Sequence, residues 1–388
     1  MKAYKSGRLV LALFSLALAA LVGGGLSALG LCGNFTDTAA DAFCPFVLEI
    51  FYMGITTGTT ATTYDPTGNV SRLQMAAFLS RTVDGVVKRV SRRAALRQFW
   101  INQSTNLVGI AATGVKPQLV ESDGEDVWVA SLSDNLVQRI HGSDGRLLET
   151  FTGATNAVGV LIVGNGVLVT GYTSPGHLYM LGGGGAANAV ASDLGDLPAG
   201  ITYDGLRIWT ANTSGSVSIV TPLESTPWIV NTVTTGFSAP HGTLFDGANV
   251  WVTNTGAGTL LKLNASGGIL QTVTVGPQPF YPVFDGTNIW VPNGNTHSIS
   301  VVRASSGSVL ATLTGNGLDI PIQAAFDGQR ILVTNNGGGV SLWKAADLTT
   351  IGNFATFDLL PTGACSDGTS FWVTLGGDGV GAGTLQRF

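Results

Sequence analysis

Hydrophobic and polar positions alternate in short runs along most of this chain, and the runs are separated by Gly-rich pairs. Residues 240–275 read PHGTLFDGANVWVTNTGAGTLLKLNASGGILQTVTV, in which Asp-Gly, Gly-Ala-Gly and Ser-Gly-Gly divide four such runs. Alternation with period two predicts β-strands, and Gly pairs of this kind indicate hairpin turns. The pattern therefore predicts four antiparallel strands in chain order.

The Asp-Gly phrase returns at intervals of about forty residues, which is the period of a repeat architecture. Its first residues are Asp123, Asn165 (as Asn-Gly), Asp204, Asp246, Asp285, Asp327 and Asp367. Four strands in each repeat are typical of a β-propeller blade. The sequence therefore predicts a mainly β fold with a seven-bladed propeller.

Both ends of the repeat array indicate how the ring closes. Six units carry a Pro at the predicted entry to an innermost strand: Pro117, Pro198, Pro240, Pro279, Pro321 and Pro361. The last unit ends one strand short, whereas residues 107–114 before the first unit (LVGIAATG) resemble an outermost strand. Pairing this N-terminal strand with the last blade removes an exposed sheet edge. We expect the propeller to span residues 104–388.

The N-terminus predicts export. Lys2, Lys5 and Arg8 precede an apolar run over residues 9–31, which is the arrangement of a secretory signal. Residues 1–30 are therefore predicted to be a signal peptide, and an uncleaved membrane anchor is the alternative. Exposure to an oxidising compartment would allow Cys32 and Cys44 to pair, leaving Cys365 alone, although three free thiols remain the other interpretation.

Residues 33–82 predict a small helical module. Apolar residues recur at helical spacing over residues 46–53 and again over 75–79, with a Gly- and Thr-rich loop between them. Ser71 is a good N-cap for the second helix. Residues 83–103 follow as a basic amphipathic helical linker, suited either to an anionic surface or to the acidic repeats.

The phrases FTD (35–37), GITTG (54–58), YDP (64–66) and VSRLQMAAFL (70–79) together resemble an S-layer homology domain. This resemblance implies attachment to cell-wall polysaccharide or another envelope component, with Asp37 and Arg72 contributing to the glycan site. The chain has one copy where the family usually has three, and Gln74 stands where many members have Glu. A structural role, with Asp37 as a helix cap and Arg72 in a local ion pair, is the alternative.

Composition and charge narrow the functional classes. Only 11% of residues are charged and Gly fills 54 positions, which favours strands and tight turns over solvated helices. The formal net charge is −5, so the chain as a whole is not suited to nucleic acid. No cofactor and no metal site are indicated by the motifs present.

Residues that differ between repeats are better site candidates than residues that recur. The repeated Trp and Asp are predicted to serve the core and the turns. Side chains around the innermost-strand entries should gather at one mouth of the central channel and bind a ligand or a protein, and they are Lys116, Gln118, His241, Phe280, Tyr281 and Gln323. Val160 is predicted to take the corresponding place in the unit without Pro.

The repeat region resembles bacterial seven-bladed propellers of the YVTN and NHL type. Residues 198–212 (PAGITYDGLRIWTAN) and 240–247 (PHGTLFDG) are also similar to repeats of the streptogramin lyases, a family whose enzymes use His and Glu with a metal ion. The Glu-x-His pair of that family does not occur in this chain, so no catalytic residue is assigned. The expected function is an exported, envelope-associated binding or scaffold protein. An extracytoplasmic lyase or hydrolase with its site at the channel mouth is the alternative.

Overall fold

The chain divides into two compact units, Met1–Arg92 and Arg93–Phe388. The computed structural model describes residues 35–38, 44, 47, 50–51, 56–60, 62–72, 74–79, 110–142, 144–164, 166–356, 360–368, 370–376 and 381–388. The predicted signal peptide and the predicted linker lie outside these residues. Within them, no helix has the length and apolar character needed to span a membrane.

The first unit contains two helical stretches and a small aromatic core. Cys44, Val47 and residues 50–51 are helical, and so are Arg72 and residues 74–79. The Phe35 side chain is buried beside Val47. Its ring meets the ring of Phe51 at 5.1 Å and that of Tyr64 at 5.7 Å between centroids. Two of the quoted sequence phrases, FTD and YDP, are therefore packed together by their aromatic residues.

A capping box begins the second helical stretch. The Ser71 N–H donates to Gln74 Oε1 at 2.8 Å, and the Gln74 N–H donates to Ser71 Oγ at 3.2 Å. This reciprocal pair satisfies two backbone donors at a helix start. Gln74 thus performs the capping role for which Glu is also suited.

The second unit consists of short strands in succession. The first nine are β1 (Ile110–Val115), β2 (Pro117–Ser122), β3 (Asp126–Ser131), β4 (Leu136–His141), β5 (Leu147–Thr152), β6 (Ala157–Val163), β7 (Gly166–Gly171), β8 (Gly176–Gly182) and β9 (Ala186–Leu194). The next eight are β10 (Pro198–Tyr203), β11 (Ile208–Asn212), β12 (Ser216–Thr221), β13 (Ile229–Val233), β14 (Pro240–Phe245), β15 (Val250–Asn254), β16 (Thr259–Leu263) and β17 (Ile269–Thr274). The remainder are β18 (Val283–Phe284), β19 (Asn288–Asn293), the 3₁₀ helix η1 (Gly294–Thr296), β20 (Ser298–Arg303), β21 (Val309–Thr314), β22 (Pro321–Phe326), β23 (Arg330–Asn335), β24 (Val340–Lys344), β25 (Thr350–Phe354), β26 (Pro361–Ser366), β27 (Phe371–Leu375) and β28 (Ala382–Arg387).

These strands form antiparallel sheets arranged as a β-propeller. Over the described residues there are five four-stranded sheets and one eight-stranded sheet of order β2-β3-β4-β5-β9-β8-β7-β6. The two halves of the eight-stranded sheet are four-stranded meanders joined by one parallel bridge, Thr152 to Ala186. The first strands contact one another in a closed ring, in the order β2, β6, β10, β14, β18, β22, β26 and back to β2.

The ring is closed by the first strand of the unit. β1 pairs antiparallel with β28, with Ile110 opposite Gln386 and Ala112 opposite Thr384. The last sheet therefore has the order β1-β28-β27-β26. This is the pairing that the incomplete last repeat predicted, and it covers the outer edge of β28.

The recurrent Asp-Gly phrase builds both a turn and the core. Asp246 Oδ1 accepts hydrogen bonds from the N–H groups of Ala248 and Asn249 at 2.8 and 2.7 Å. Asp246 Oδ2 accepts one from Nε1 of the buried Trp251 at 2.7 Å. The same indole bond joins Trp128 to Asp123, Trp209 to Asp204, Trp290 to Asp285 and Trp372 to Asp367, at 3.3, 2.8, 2.8 and 2.9 Å.

Two repeats depart from this pattern. In the sixth, Leu332 takes the Trp position, and Asp327 Oδ2 accepts instead from Arg330 Nε at 2.6 Å. In the second, the sequence-based choice of Asn165 as the Asp equivalent is wrong. Leu168 pairs with Leu161 as Trp251 pairs with Leu244, so the Asp position is held by Val163, beside Gly164 at φ 57°. The Asn-Gly dipeptide shifted the predicted alignment of this repeat by two residues. Asn165 itself lies outside the described residues.

Replacing Asp246 by Asn tests the double role of the repeated carboxylate. A carboxylate offers two acceptor oxygens and an amide only one, so either the turn or the Trp251 indole loses its partner. We expect Asp246→Asn to lower the free energy of unfolding by about 1–3 kcal/mol in urea denaturation.

Asp347→Asn is the matched control. Both hydrogen bonds of the exposed Asp347, from the Thr349 N–H and hydroxyl, go to a single oxygen, Oδ1. An amide oxygen can keep both, so the change should stay within about 0.5 kcal/mol. Equal effects of the two substitutions would contradict the assigned role of Asp246.

Candidate functional site

Three of the predicted channel-mouth residues come together across two neighbouring sheets. The His241 ring lies edge-on to the Phe280 ring at 5.2 Å and to the Tyr281 ring at 5.6 Å between centroids, with interplanar angles of 80° and 70°. His241 belongs to β14, and the two aromatic residues precede β18. The structure thus forms one aromatic and imidazole cluster, and we call these three residues the His241 cluster.

Close approach of the two sheets depends on Gly242. A Cβ atom there would lie 2.5 Å from Pro282 Cδ and 2.6 Å from the Phe280 carbonyl oxygen, distances at which carbon and oxygen atoms overlap. Gly242 therefore allows the β14 backbone to pass directly beside the segment that carries both rings. This contact places His241 next to them.

The Tyr281 backbone is held by the following sheet. The Tyr281 N–H donates to the Ile322 carbonyl at 3.0 Å, and the Ala324 N–H donates to the Tyr281 carbonyl at 3.1 Å. Because these bonds link Tyr281 to β22, the segment before β18 pairs little with its own sheet, and Pro279 forms only an isolated bridge with Asn293. The prediction that Pro279 opens a full innermost strand is therefore wrong.

Phe280 is held by the end of β19 and packs against η1. Its N–H donates to the Pro292 carbonyl at 3.0 Å. A Cβ atom at Gly294 would lie 2.7 Å from Phe280 Cε2, so Gly at this position makes room for the ring. The position of the Phe280 ring beside His241 thus depends on this backbone hydrogen bond and on Gly294, and not on residues that recur in every repeat.

His241 is neutral at ordinary pH. Burial lowers its pKa to about 4. Its Nδ1 atom is buried and has no hydrogen-bond partner among the described residues. Neutral imidazole carries one donor and one acceptor nitrogen. A buried polar atom without a partner costs free energy, so this nitrogen is an unsatisfied hydrogen-bonding group.

Tyr172 extends the polar side of the His241 cluster. Burial, together with the neighbouring Tyr172 phenol, raises the pKa of Tyr281. The Tyr172 hydroxyl shares a hydrogen bond with Thr213 Oγ1 at 3.1 Å. Sequence analysis missed Tyr172 because it considered only the innermost strands, whereas Tyr172 directly follows β7, the second strand of its repeat. An aromatic residue at the place where the next repeat has Thr213 was the available signal.

The other predicted residues have different roles. Gln323 Oε1 accepts a hydrogen bond from the Ala364 N–H at 3.1 Å, which ties β22 to β26, although its backbone does form a parallel bridge with Tyr281. Gln118 Nε2 donates to the Lys116 carbonyl at 3.3 Å. Among the described residues, no hydrogen bond or ring contact joins Lys116 or Gln118 to the His241 cluster.

In the second repeat a different residue than predicted corresponds to His241. Ala157 pairs with Gly171 as Pro240 pairs with Asn254, and the same register shift follows each pair. Val158, rather than Val160, therefore corresponds to His241. This repeat has no Pro at the strand entry, so the residue used to align the other repeats was missing from its sequence.

A second group with a displaced pKa lies where the first and last repeats meet. Burial raises the pKa of Glu121, in β2, to about 7. Burial, with the nearby Glu121 and Asp367 carboxylates, raises the pKa of the Cys365 thiol. Cys365 is a free, buried thiol in β26. These groups stay in their protonated forms around neutral pH more readily than exposed ones.

In the first unit the two candidate glycan residues differ in what they contact. The Asp37 carboxylate accepts the Tyr64 N–H at 2.9 Å and the Asp65 N–H at 2.7 Å, and these bonds lower the pKa of Asp37. Arg72 is exposed and forms no ion pair with any described residue. Cys44 is disulfide-bonded, and Cys32, its predicted partner, lies outside the described residues.

No group of three or more His, Cys, Asp or Glu side chains suited to a metal ion occurs among the residues that the structure describes. No protein-family model matches the sequence, and no curated protein matches it either. A solved structure of streptogramin B lyase is similar, with a TM-score of 0.59 and 16% identity over 72% of this chain and 97% of that chain. A likeness at this identity shows the β-propeller fold alone.

The pKa of His241 gives a pH dependence of stability with a defined sign. An unfolded His titrates near 6.5 and the folded one near 4, so between these values the unfolded state binds more protons. Stability from neutral His241 is therefore complete above about pH 6.5 and is lost as the pH falls towards 4, by at most about 3 kcal/mol.

His241→Gln should remove this contribution, so the free energy of unfolding of the wild type should fall relative to that of the variant as the pH is lowered from 7 to 4. Glu121 contributes with the opposite sign, since its raised pKa weakens stability as the pH rises from 4.5 towards 7. That contribution is common to both proteins and cancels in the difference. Parallel profiles for wild type and variant would contradict a buried neutral His241.

Proposed function

We propose that this protein is an exported, cell-envelope-associated binding protein. Its first unit, similar to an S-layer homology domain, attaches to cell-wall polysaccharide, and its propeller binds a small ligand or a partner protein at the channel mouth. In this proposal the two halves of the eight-stranded sheet are separate blades, so the propeller has seven. Each half is a four-stranded meander that begins at its own first strand in the closed ring.

The His241 cluster carries the proposal for the propeller. The unpartnered Nδ1 atom of His241 is buried against two aromatic edges. A ligand that offers a hydrogen-bonding group there satisfies a polar atom whose isolation costs about 1–3 kcal/mol. Phe280 and Tyr281 present apolar surface beside it, the mixture that small-molecule sites commonly use. We therefore expect a ligand with an apolar or aromatic body and one hydrogen-bonding group.

Attachment to the envelope is supported by the first unit and by the N-terminal sequence. The charged residues and the apolar run over residues 9–31 match an export signal. Asp37 holds the loop at Tyr64 and Asp65 in place, which leaves the exposed Arg72 as the residue able to contact a polymer. Anionic groups on a cell-wall polysaccharide would suit its guanidinium.

An extracytoplasmic lyase or hydrolase is the second candidate. The solved structure that is similar to this chain is that of a streptogramin B lyase. A neutral imidazole with a free nitrogen, in contact with Tyr281, is also a chemically competent general base. In this version the same His241 cluster would hold the reacting group of a substrate.

Substitution of His241 tests the channel-mouth site. A library of small aromatic compounds, with a streptogramin B compound among them, is screened by the shift in melting temperature of the intact protein. We expect His241→Ala to lower the affinity for each ligand that the wild type binds about tenfold, since one buried hydrogen bond is lost. Mass spectrometry of the same incubations detects turnover, and turnover that His241→Ala abolishes would favour the enzyme.

His177→Ala is the matched control, because His177 also stacks on a tyrosine, Tyr179, at 5.8 Å, but lies in β8 outside the His241 cluster. Its ligand affinities should equal those of the wild type. Equal affinity of every ligand for the wild type and the His241→Ala variant would show that His241 is not part of the binding site.

Sedimentation with purified cell-wall polysaccharide tests attachment. Arg72→Gln removes an exposed charge without touching the loop that Asp37 holds, so the protein should stay folded while its affinity falls about tenfold. Lys344→Gln, which removes an exposed cation at the end of β24, should bind as the wild type does. If the intact protein does not sediment with the polymer, attachment through this unit is wrong.

A further inference from the structure

A polar cleft separates the β14–β17 sheet from the β18–β21 sheet, away from the His241 cluster. Its volume is about 370 Å³, and both sheets contribute to its walls. The polar side chains that line it are Asp246, Asn249, Lys262, Thr287, Arg303 and Ser305. Lys262 and Arg303 are half-buried in an otherwise acidic protein.

Arg303 has no counter-ion. Its guanidinium forms no ion pair and no hydrogen bond with any residue that the structure describes, and it stands at the end of β20. In the first sheet the corresponding register pair is Asp126 with His141, and those two side chains bond at 2.9 Å. In the β18–β21 sheet the residue opposite Arg303 is the neutral Asn288, so no carboxylate faces Arg303 across this strand pair.

Lys262 brings a second positive charge into the same cleft. Its ammonium group lies 5.1 Å from the centre of the Trp251 ring and reaches the Ala304 carbonyl at 3.4 Å. Two other cations donate to a backbone carbonyl of the neighbouring sheet at a shorter distance than Lys262 does. Arg387 donates to the Gly142 carbonyl at 3.2 Å, and Arg207 donates to the Ala265 carbonyl. The long Lys262 contact leaves its remaining donors to the cleft.

Nearby carboxylates are already occupied. Asp246 accepts from the Ala248 and Asn249 N–H groups and from the Trp251 indole. Asp285 accepts from two N–H groups of its own turn and from the Trp290 indole. Both carboxylates therefore have hydrogen-bond donors of their own, and neither is within ion-pairing distance of Lys262 or Arg303 among the described residues.

The cleft is bounded by ordered backbone. The Ala304 N–H donates to the Thr287 carbonyl at 3.2 Å, and the Gly307 N–H donates to the Arg303 carbonyl at 2.7 Å. Gln271 Nε2, from the opposite wall, donates to the Ser306 carbonyl at 3.0 Å. The turn after β20, which follows directly on Arg303, is thus tied to both sheets.

We propose that this cleft binds a small hydroxylated anion, of the class of sugar phosphates and sugar acids. Arg303 and Lys262 bind its phosphate or carboxylate group, since guanidinium pairs with either group through two hydrogen bonds. Asn249, Thr287 and Ser305 supply donors and acceptors for hydroxyl groups. The volume falls in the range of small-ligand sites, about 300–1,000 Å³.

Calorimetric titration of the full chain at low ionic strength tests the site, with glucose 6-phosphate, glucuronate and uncharged glucose as probes. We expect at least one anionic probe to bind and glucose not to bind. Arg303→Gln should weaken binding of that probe about tenfold or more, because a charge-assisted contact is lost. Raising the salt concentration should weaken it further. The preference between the two anions identifies the group that the cleft accepts.

Lys344→Gln is the matched control, since Lys344 holds the position of Arg303 in the next sheet but is exposed. This variant and His241→Ala should both bind the anion as the wild type does, so the result is independent of the channel-mouth proposal. Circular dichroism and a melting curve establish that Arg303→Gln is folded. Absence of binding by the wild type, or equal binding by wild type and Arg303→Gln, would overturn the proposal.

Discussion

The hydrogen bond between a turn carboxylate and a buried indole is the interaction on which the propeller depends. In Asp246, one oxygen closes the turn between β14 and β15 and the other accepts from Trp251. Local chain reversal and core packing are therefore fixed by one side chain. The same bond recurs in five repeats, so these turns and their core indoles are fixed in the same way.

The residues that differ between repeats and form the two candidate sites lie where strands enter the ring and where neighbouring sheets face one another. The His241 cluster arises because Gly242 lets two sheets approach and because Tyr281 bonds to β22. At the cleft, the neutral Asn288 stands opposite Arg303. In each place one polar group has no hydrogen-bond or ion-pair partner among the described residues. Uncompensated groups of this kind mark functional candidates better than repeated residues do.

The sequence predicted the features that depend on neighbours along the chain. Strand alternation, the Asp-Gly turns, the structural role of Trp251 and the pairing of β1 with the last sheet all follow from local patterns. The prediction was wrong where it relied on a single marker residue. Asn165 was assigned to the position of the repeated Asp, whereas Val163 occupies that position. The sequence also could not foresee that Gln323 would bond to Ala364 or that Tyr172 would approach Tyr281, because side-chain direction at a register shift is set by the neighbouring sheet.

The pairing of β1 with β28 sets a condition on biosynthesis. Residues separated by nearly the whole unit must meet before the last sheet exists, and contacts so distant in sequence form late. A ribosome must therefore synthesise β28 before the ring can close. A chain that stops short of β28 leaves β1 and β27 with open edges, which are available for pairing with another chain. Closure at this seam thus requires that every strand of the ring has been synthesised.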